Sequence, residues 1–195
     1  MSEVASDPGN TVADGVPKCP VDDCNLTVDV ILRSSDGESF GAHQFNLECY
    51  SASFPPAAST TTNSPEEMTV ELTETAAVLR LILQYMHNVR QPDLSKVSFL
   101  VLSSLAEAVE KYLVFSAIDV CKVFMDKLSK DDYPSEVLMY AAKHDYLDLA
   151  DKAARLTLGK SDSEMVAAAE GLQAPALVIL KWVGMHSLIP RVNLY

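Results

Sequence analysis

Apolar positions in the first third of the chain recur with two different periods. Val28-Asp29-Val30-Ile31-Leu32-Arg33 is short and rich in β-branched residues. Ser34-Ser35-Asp36-Gly37 supplies turn chemistry, and Ser39-Phe40 opens a return run, so the pattern predicts a β-hairpin with Phe40 and Ala42 on one face. At His43 the period changes. His43, Leu47, Ser51 and Phe54 follow at steps of four, four and three, which stacks them along one side of a helix that Pro55-Pro56 would stop. Met68-Thr69-Val70-Glu71-Leu72 alternates with a period of two and predicts a third strand. Thr73 stands as the N-cap of the next helix, with Glu74 in its first turn. Val78, Leu79, Ile82, Leu83 and Met86 then give an amphipathic helix ending near His87-Asn88.

From there the spacing is helical throughout. Leu102, Leu105, Ala106, Val109 and Tyr112 form one stripe; Ala117, Cys121, Phe124, Met125 and Leu128 form a second after a break near Val114 to Ser116, so a helical hairpin is expected. Beyond the polar link from Ser129 to Pro134 there is room for four more helices, over 135–145, 147–158, 163–170 and 174–188. Val137, Tyr140, Ala141 and His144 share one face of the first, and Trp182 anchors the last. The Ser/Thr-rich segment 55–66 reads as a loop, with Ser64-Pro65 a turn former.

The positions Asp29, Phe40, Ala42-His43, Leu47, Ser51 and Phe54 resemble the D…F-x-A-H-x-x-x-L-x-x-x-S-x-x-F signature of the BTB/POZ domain. The later run Leu105-Ala106-Glu107-Ala108-Val109-Glu110-Lys111-Tyr112, with a cysteine nine residues on, is similar to the last two helices of such domains, especially in short fungal BTB proteins. The resemblance implies an α+β fold, a small β-sheet flanked by a cluster of α-helices with an all-α C-terminal extension, and a trade in protein–protein association. The division expected is a disordered acidic leader at 1–25, a BTB/POZ domain at 26–128 and a helical extension at 129–195. For His43 the resemblance implies a structural role, its ring packed beneath the sheet. For Asp29 it implies a place in the charged groove of self-associating members. Gln44 stands where those members commonly carry Lys or Arg, so either Asp29 finds another cation, with Arg33 a candidate, or the groove is not built as in the dimeric members. The family aromatic is replaced by His87 at the end of the Val78–Met86 helix. A second family role, substrate adaptor of a cullin-type ubiquitin ligase, normally places a hydrophobic-x-Glu motif after the signature Phe. Here Pro55-Pro56-Ala57-Ala58-Ser59-Thr60 occupies that place.

Composition narrows the partners. The 195 residues are 48% apolar, ample for a core, and carry a net charge of −12, which opposes nucleic acid and anionic membrane surfaces. Other proteins, this chain itself or a cullin, are the expected partners. Cys19, Cys24, Cys49 and Cys121 are scattered and the first residues lack a secretory pattern, which suggests a reducing compartment, cytoplasm or nucleus. The apolar run from Ala174 to Ile189 falls short of the roughly 20 residues of a membrane span. No catalytic residue, cofactor or metal site is expected. His43 and Cys49, six positions apart on one helix, face apart. His144-Asp145 reads as a helix end, and the paired acids Asp22-Asp23, Glu66-Glu67 and Asp131-Asp132 read as solvated surface. Cys19 and Cys24 could supply half of a zinc site, but no second Cys/His pair follows at suitable spacing, and two thiols in an unstructured leader are the favoured reading.

Overall fold

The computed structural model describes residues 15–54, 69–130, 132–157 and 160–171. They group into two compact units, one reaching Pro92 and including Lys111–Phe115, the other comprising Asp93–Glu110 and the residues from Ser116 onward.

In the first unit three strands form one sheet in the order β2-β1-β3. β1 (Val30–Arg33) lies in the centre. It pairs antiparallel with β2 (Ser39–Ala42), Val30 opposite Ala42 and Arg33 opposite Ser39. It pairs parallel with β3 (Thr69–Glu71), Ile31 opposite Thr69 and Arg33 opposite Glu71. Val30, Ile31 and Leu32 are all buried, because a central strand is covered on both faces and therefore reads as a continuous apolar run. The β1–β2 turn closes through Ser34, whose N–H donates to the Glu38 carbonyl at 2.9 Å, while Gly37 takes a φ of 89° that a side chain would disfavour.

α1 (Gln44–Tyr50) is shorter than the spacing predicts. Ser51 is already extended: its hydroxyl donates to the Tyr112 carbonyl at 2.5 Å and accepts the Phe54 N–H at 2.8 Å. A serine that bonds its own neighbouring backbone competes with helix continuation, so Phe54 lies past the helix and not on it. The Pro55-Pro56 stop and the loop at 55–66 lie outside the described residues. α2 (Ala76–Tyr85) also starts later than expected, with Thr75 at the N-cap and no side-chain bond from it. The capping oxygen comes from the hairpin turn instead, Asp36 Oδ1 accepting the Ala76 N–H at 2.9 Å. Val78, Leu79, Ile82, Leu83, Tyr85 and Met86 are buried.

The expectation of a disordered leader through residue 25 does not hold over 15–25; residues 1–14 lie outside the described ones. The Gly41 N–H donates to the Lys18 carbonyl at 2.9 Å, Val21 is buried, and the segment runs along β2. Sequence composition concealed this because the segment is held by backbone and a single apolar side chain. Gly41 makes the approach possible: a Cβ there would stand 2.3 Å from the Pro17 carbonyl oxygen and 2.7 Å from Val28 Cγ2.

In the second unit a 3-10 turn (Leu94–Lys96), capped by Asp93, leads into α3 (Phe99–Tyr112), whose last two residues group with the first unit. α4 (Phe115–Ser129), α5 (Pro134–Lys143), α6 (Leu147–Leu156) and α7 (Asp162–Gly171) follow. Val137, Tyr140 and Ala141 are fully buried, and the Phe99 and Tyr133 rings stack at 3.8 Å. His144 is the C-cap of α5, and Asp145 turns the chain at a φ of 57°. Glu107 gathers Lys143 at 2.6 Å and His144 Nε2 at 3.2 Å, and Glu110 accepts the hydroxyls of Tyr140 and Tyr146. The helix expected over 174–188, with Trp182, lies outside the described residues. No helix among the described residues is long and apolar enough to cross a membrane.

Gly41→Ala should destabilise the chain by about 1–3 kcal/mol, the cost of overpacking against backbone that cannot retreat without releasing the Lys18 bond. Urea denaturation of the purified chain at neutral pH measures it.

Candidate functional site

The signature residues converge on the junction between β2 and α1. Phe40 and Ala42 are buried on β2, with the Arg80 guanidinium 4.8 Å over the Phe40 ring. Leu47 is buried on α1. Asp29, which the resemblance places in a charged groove of self-associating members, is exposed in the single chain. Its Oδ1 accepts the Gln44 N–H at 2.7 Å, so the carboxylate serves the first turn of α1, and Arg33 faces Glu71 at 3.7 Å. Gln44 itself reaches along the helix to Glu48 at 2.7 Å.

Ser51 and Phe54 are tied to Tyr112, Ser51 through the carbonyl and Phe54 by ring contact at 4.5 Å. The Tyr112 hydroxyl donates to Glu74 Oε2 at 2.6 Å, and Lys111 Nζ donates to Glu74 Oε1 at 2.8 Å. Burial pushes the Glu74 carboxyl up, but the Lys111 and Tyr112 hydrogen bonds and the Lys111 charge outweigh it and leave it below the ordinary carboxylate value. Glu74, expected in the first turn of α2, thus lies before that helix.

His43 is the N-cap residue of α1 and is buried. Its Nδ1 lies 2.7 Å from the Thr27 carbonyl; a carbonyl only accepts, so Nδ1 carries the proton and Nε2 the lone pair. Cys49 is exposed and has no place near that ring. Cys24 does: its Sγ is 3.1 Å from His43 Nε2 and 3.5 Å from His87 Nε2, and Cys19 Sγ is 3.5 Å from the same His87 nitrogen. His87 is buried just past α2, its Nδ1 2.7 Å from the Leu83 carbonyl. Burial holds the His87 ring below the ordinary histidine value despite that hydrogen bond, with the His43 ring adding to the depression. The two imidazoles meet edge to face at 5.3 Å, and burial pushes the Cys19 thiol up to about 11. All four donor atoms lie within 4.8 Å of one another. The second pair that sequence reading failed to find is His43 with His87, brought to the cysteines by the sheet and α2.

A family model for the BTB/POZ domain matches residues 21–129. The chain belongs to the BTB/POZ family. No curated protein gives a significant match to it. BTB/POZ domains are protein–protein interaction modules, which suits a junction whose signature side chains are spent on packing and helix capping. His87 was readable only as a departure, a histidine where BTB/POZ domains usually carry an aromatic ring. Its coincidence with the Cys19–Cys24 pair was the signal available.

Glu74→Gln should cost about 1.5–3 kcal/mol at neutral pH, the range for hydrogen bonds to a charged group. A carboxyl whose value is lower in the folded state stabilises above the ordinary 4.5, and loses that contribution as pH falls through its lowered folded value. The difference between wild type and variant should therefore shrink on acidification, as chemical denaturation from pH 7 downward would record.

Proposed function

We propose that the chain is a non-enzymatic scaffold that docks a protein segment in the groove along α4 and α6. One observation carries this reading. Val123 and Leu147 are 68% and 73% exposed, and both line a groove of about 730 Å³ within the helical unit. Monomeric surfaces tolerate isolated apolar residues, but two large ones sharing a concavity point to a contact site. The groove also holds Asp119, Asp126, Asp145 and Asp148 against Lys122 and Lys152, a surplus of negative charge in keeping with the chain's net −12. Lys122 lies 4.1 Å over the Tyr146 ring and Lys152 is 3.2 Å from Asp126, so both cations already have local partners. The occupant that fits is an amphipathic segment with apolar anchors and basic flanks. An acidic or nucleic-acid partner fits poorly.

The non-enzymatic reading rests on the family, whose domains are protein–protein interaction modules. Self-association through Asp29 is not favoured, since that carboxylate caps α1. The groove occupant is a different protein, because a second copy of a chain with a net charge of −12 would bring like charge to an acidic groove; a cullin is one outcome of the test.

Affinity capture with the full chain should recover a partner that Leu147→Asp loses by roughly 10–100-fold, the equivalent of about 1.5–3 kcal/mol for burying one leucine. Recovery should weaken with added salt. Equal recovery by wild type and by both Leu147→Asp and Val123→Asp overturns the groove reading. Recovery of a cullin assigns the ligase-adaptor role, and light scattering that finds a dimer abolished by Leu147→Asp makes the occupant a second copy of this chain.

A further inference from the structure

We propose that Cys19, Cys24, His43 and His87 bind one structural Zn²⁺ ion, which clips the segment preceding β1 to the head of α1 and the end of α2. Two thiolates and two imidazoles are a preferred donor set for a closed tetrahedral zinc centre. With zinc–sulfur bonds near 2.3 Å and zinc–nitrogen bonds near 2.05 Å, tetrahedral geometry puts neighbouring donors about 3.3–3.8 Å apart. The sulfur–nitrogen separations here are 3.1, 3.5 and 3.5 Å, and no pair among the four donor atoms exceeds 4.8 Å.

The tautomers are already set for it. Both Nδ1–H groups donate to main-chain carbonyls, of Thr27 and of Leu83, at 2.7 Å. Metal-bound histidines are oriented in this way, through the ring nitrogen that does not bind. Both Nε2 lone pairs are left pointing at sulfur. Hydrogen bonding alone satisfies the cluster badly, because three sulfur–nitrogen contacts share only two S–H protons, and a thiol is a weak donor. A divalent cation in the middle answers all four donors. With two thiolates it leaves no net charge, so it can sit beside two buried histidines without the desolvation cost of an isolated ion.

The approach to the site is shaped for the purpose. The Cys24 N–H donates to the Val21 carbonyl at 3.3 Å and Asp23 takes a φ of 57°. This turn folds Cys19-Pro20-Val21-Asp22-Asp23-Cys24 so that both sulfurs face the rings, with Val21 buried as its anchor. Four protein donors leave no open coordination position, which marks a structural centre and not a catalytic one. All four cysteines are free thiols, so Cys19 and Cys24 are available as ligands.

The test is the metal content of the full chain, purified under reducing conditions and analysed by plasma mass spectrometry. One zinc per chain is expected, replaceable by Co²⁺ with the visible absorption of a tetrahedral dithiolate site. Cys19→Ser and His87→Asn should each weaken zinc binding by at least about 100-fold, beyond what loss of a ligand's supporting hydrogen bond costs. Cys49→Ser, an exposed thiol outside the cluster, should bind as wild type does. Chelation should lower the melting temperature of the wild type and leave Cys19→Ser unchanged. A wild-type chain that is zinc-free as isolated and takes up neither Zn²⁺ nor Co²⁺ overturns the proposal. So does a Cys19–Cys24 disulfide in freshly isolated protein, or full zinc occupancy in Cys19→Ser.

Discussion

The hydrogen bond from His43 Nδ1–H to the Thr27 carbonyl is the constraint on which the β2–α1 junction turns. It buries a polar ring without an orphaned donor, fixes one of two tautomers and aims Nε2 away from the strand. The same strand entry serves the helix as well. Two residues after Thr27, the Asp29 carboxylate accepts the first N–H of α1, and the Asp29 N–H pairs with the Ala42 carbonyl. Strand, ring and helix start are therefore one hydrogen-bonded unit, and a change in any of them re-aims the others.

That unit matters because α1 cannot stand alone. At seven residues it is well below the length at which a helix persists in water on its own propensity. Its ends hold it: Asp29 at the first turn, and Ser51 at the last, where the hydroxyl bridges the Tyr112 carbonyl and the Phe54 N–H. Tyr112 is in turn held through its own hydroxyl by Glu74. The serine of the signature does its work by ending a helix, and the phenylalanine by packing on the tyrosine that anchors that end.

The hydrophobic pattern made the three strands, α2 and the helices of the second unit legible, because each buries an apolar face large enough to impose its period on the sequence. What local pattern misplaced were ends. Thr73 has the chemistry of a cap, but the oxygen that caps α2 comes from Asp36, forty positions earlier in the chain. Phe54 keeps a helical spacing from Ser51, but the Ser51 hydroxyl diverts the backbone before the helix can use it. No pattern in the sequence reveals that the Asp29 carboxylate has the Gln44 N–H within 2.7 Å. Caps and turns are settled by single hydrogen bonds between distant segments, and periodicity holds no record of these.

The four-donor cluster was illegible for a related reason. In zinc fingers the ligand pairs come from adjacent turns of one hairpin and one helix, so spacing alone exposes them. Here Cys19 and Cys24 form one such pair, whereas His43 lies beyond the first hairpin and His87 beyond α2, and only the fold brings the two rings to 5.3 Å. His43 also holds the place of the family's structural histidine, a role that masks it as a ligand. The two roles do not compete, since they use opposite nitrogens. Nδ1 holds the ring to the strand in any BTB/POZ domain that keeps the Thr27-like carbonyl contact, and Nε2 remains free to be recruited wherever a second histidine and two thiols come within reach.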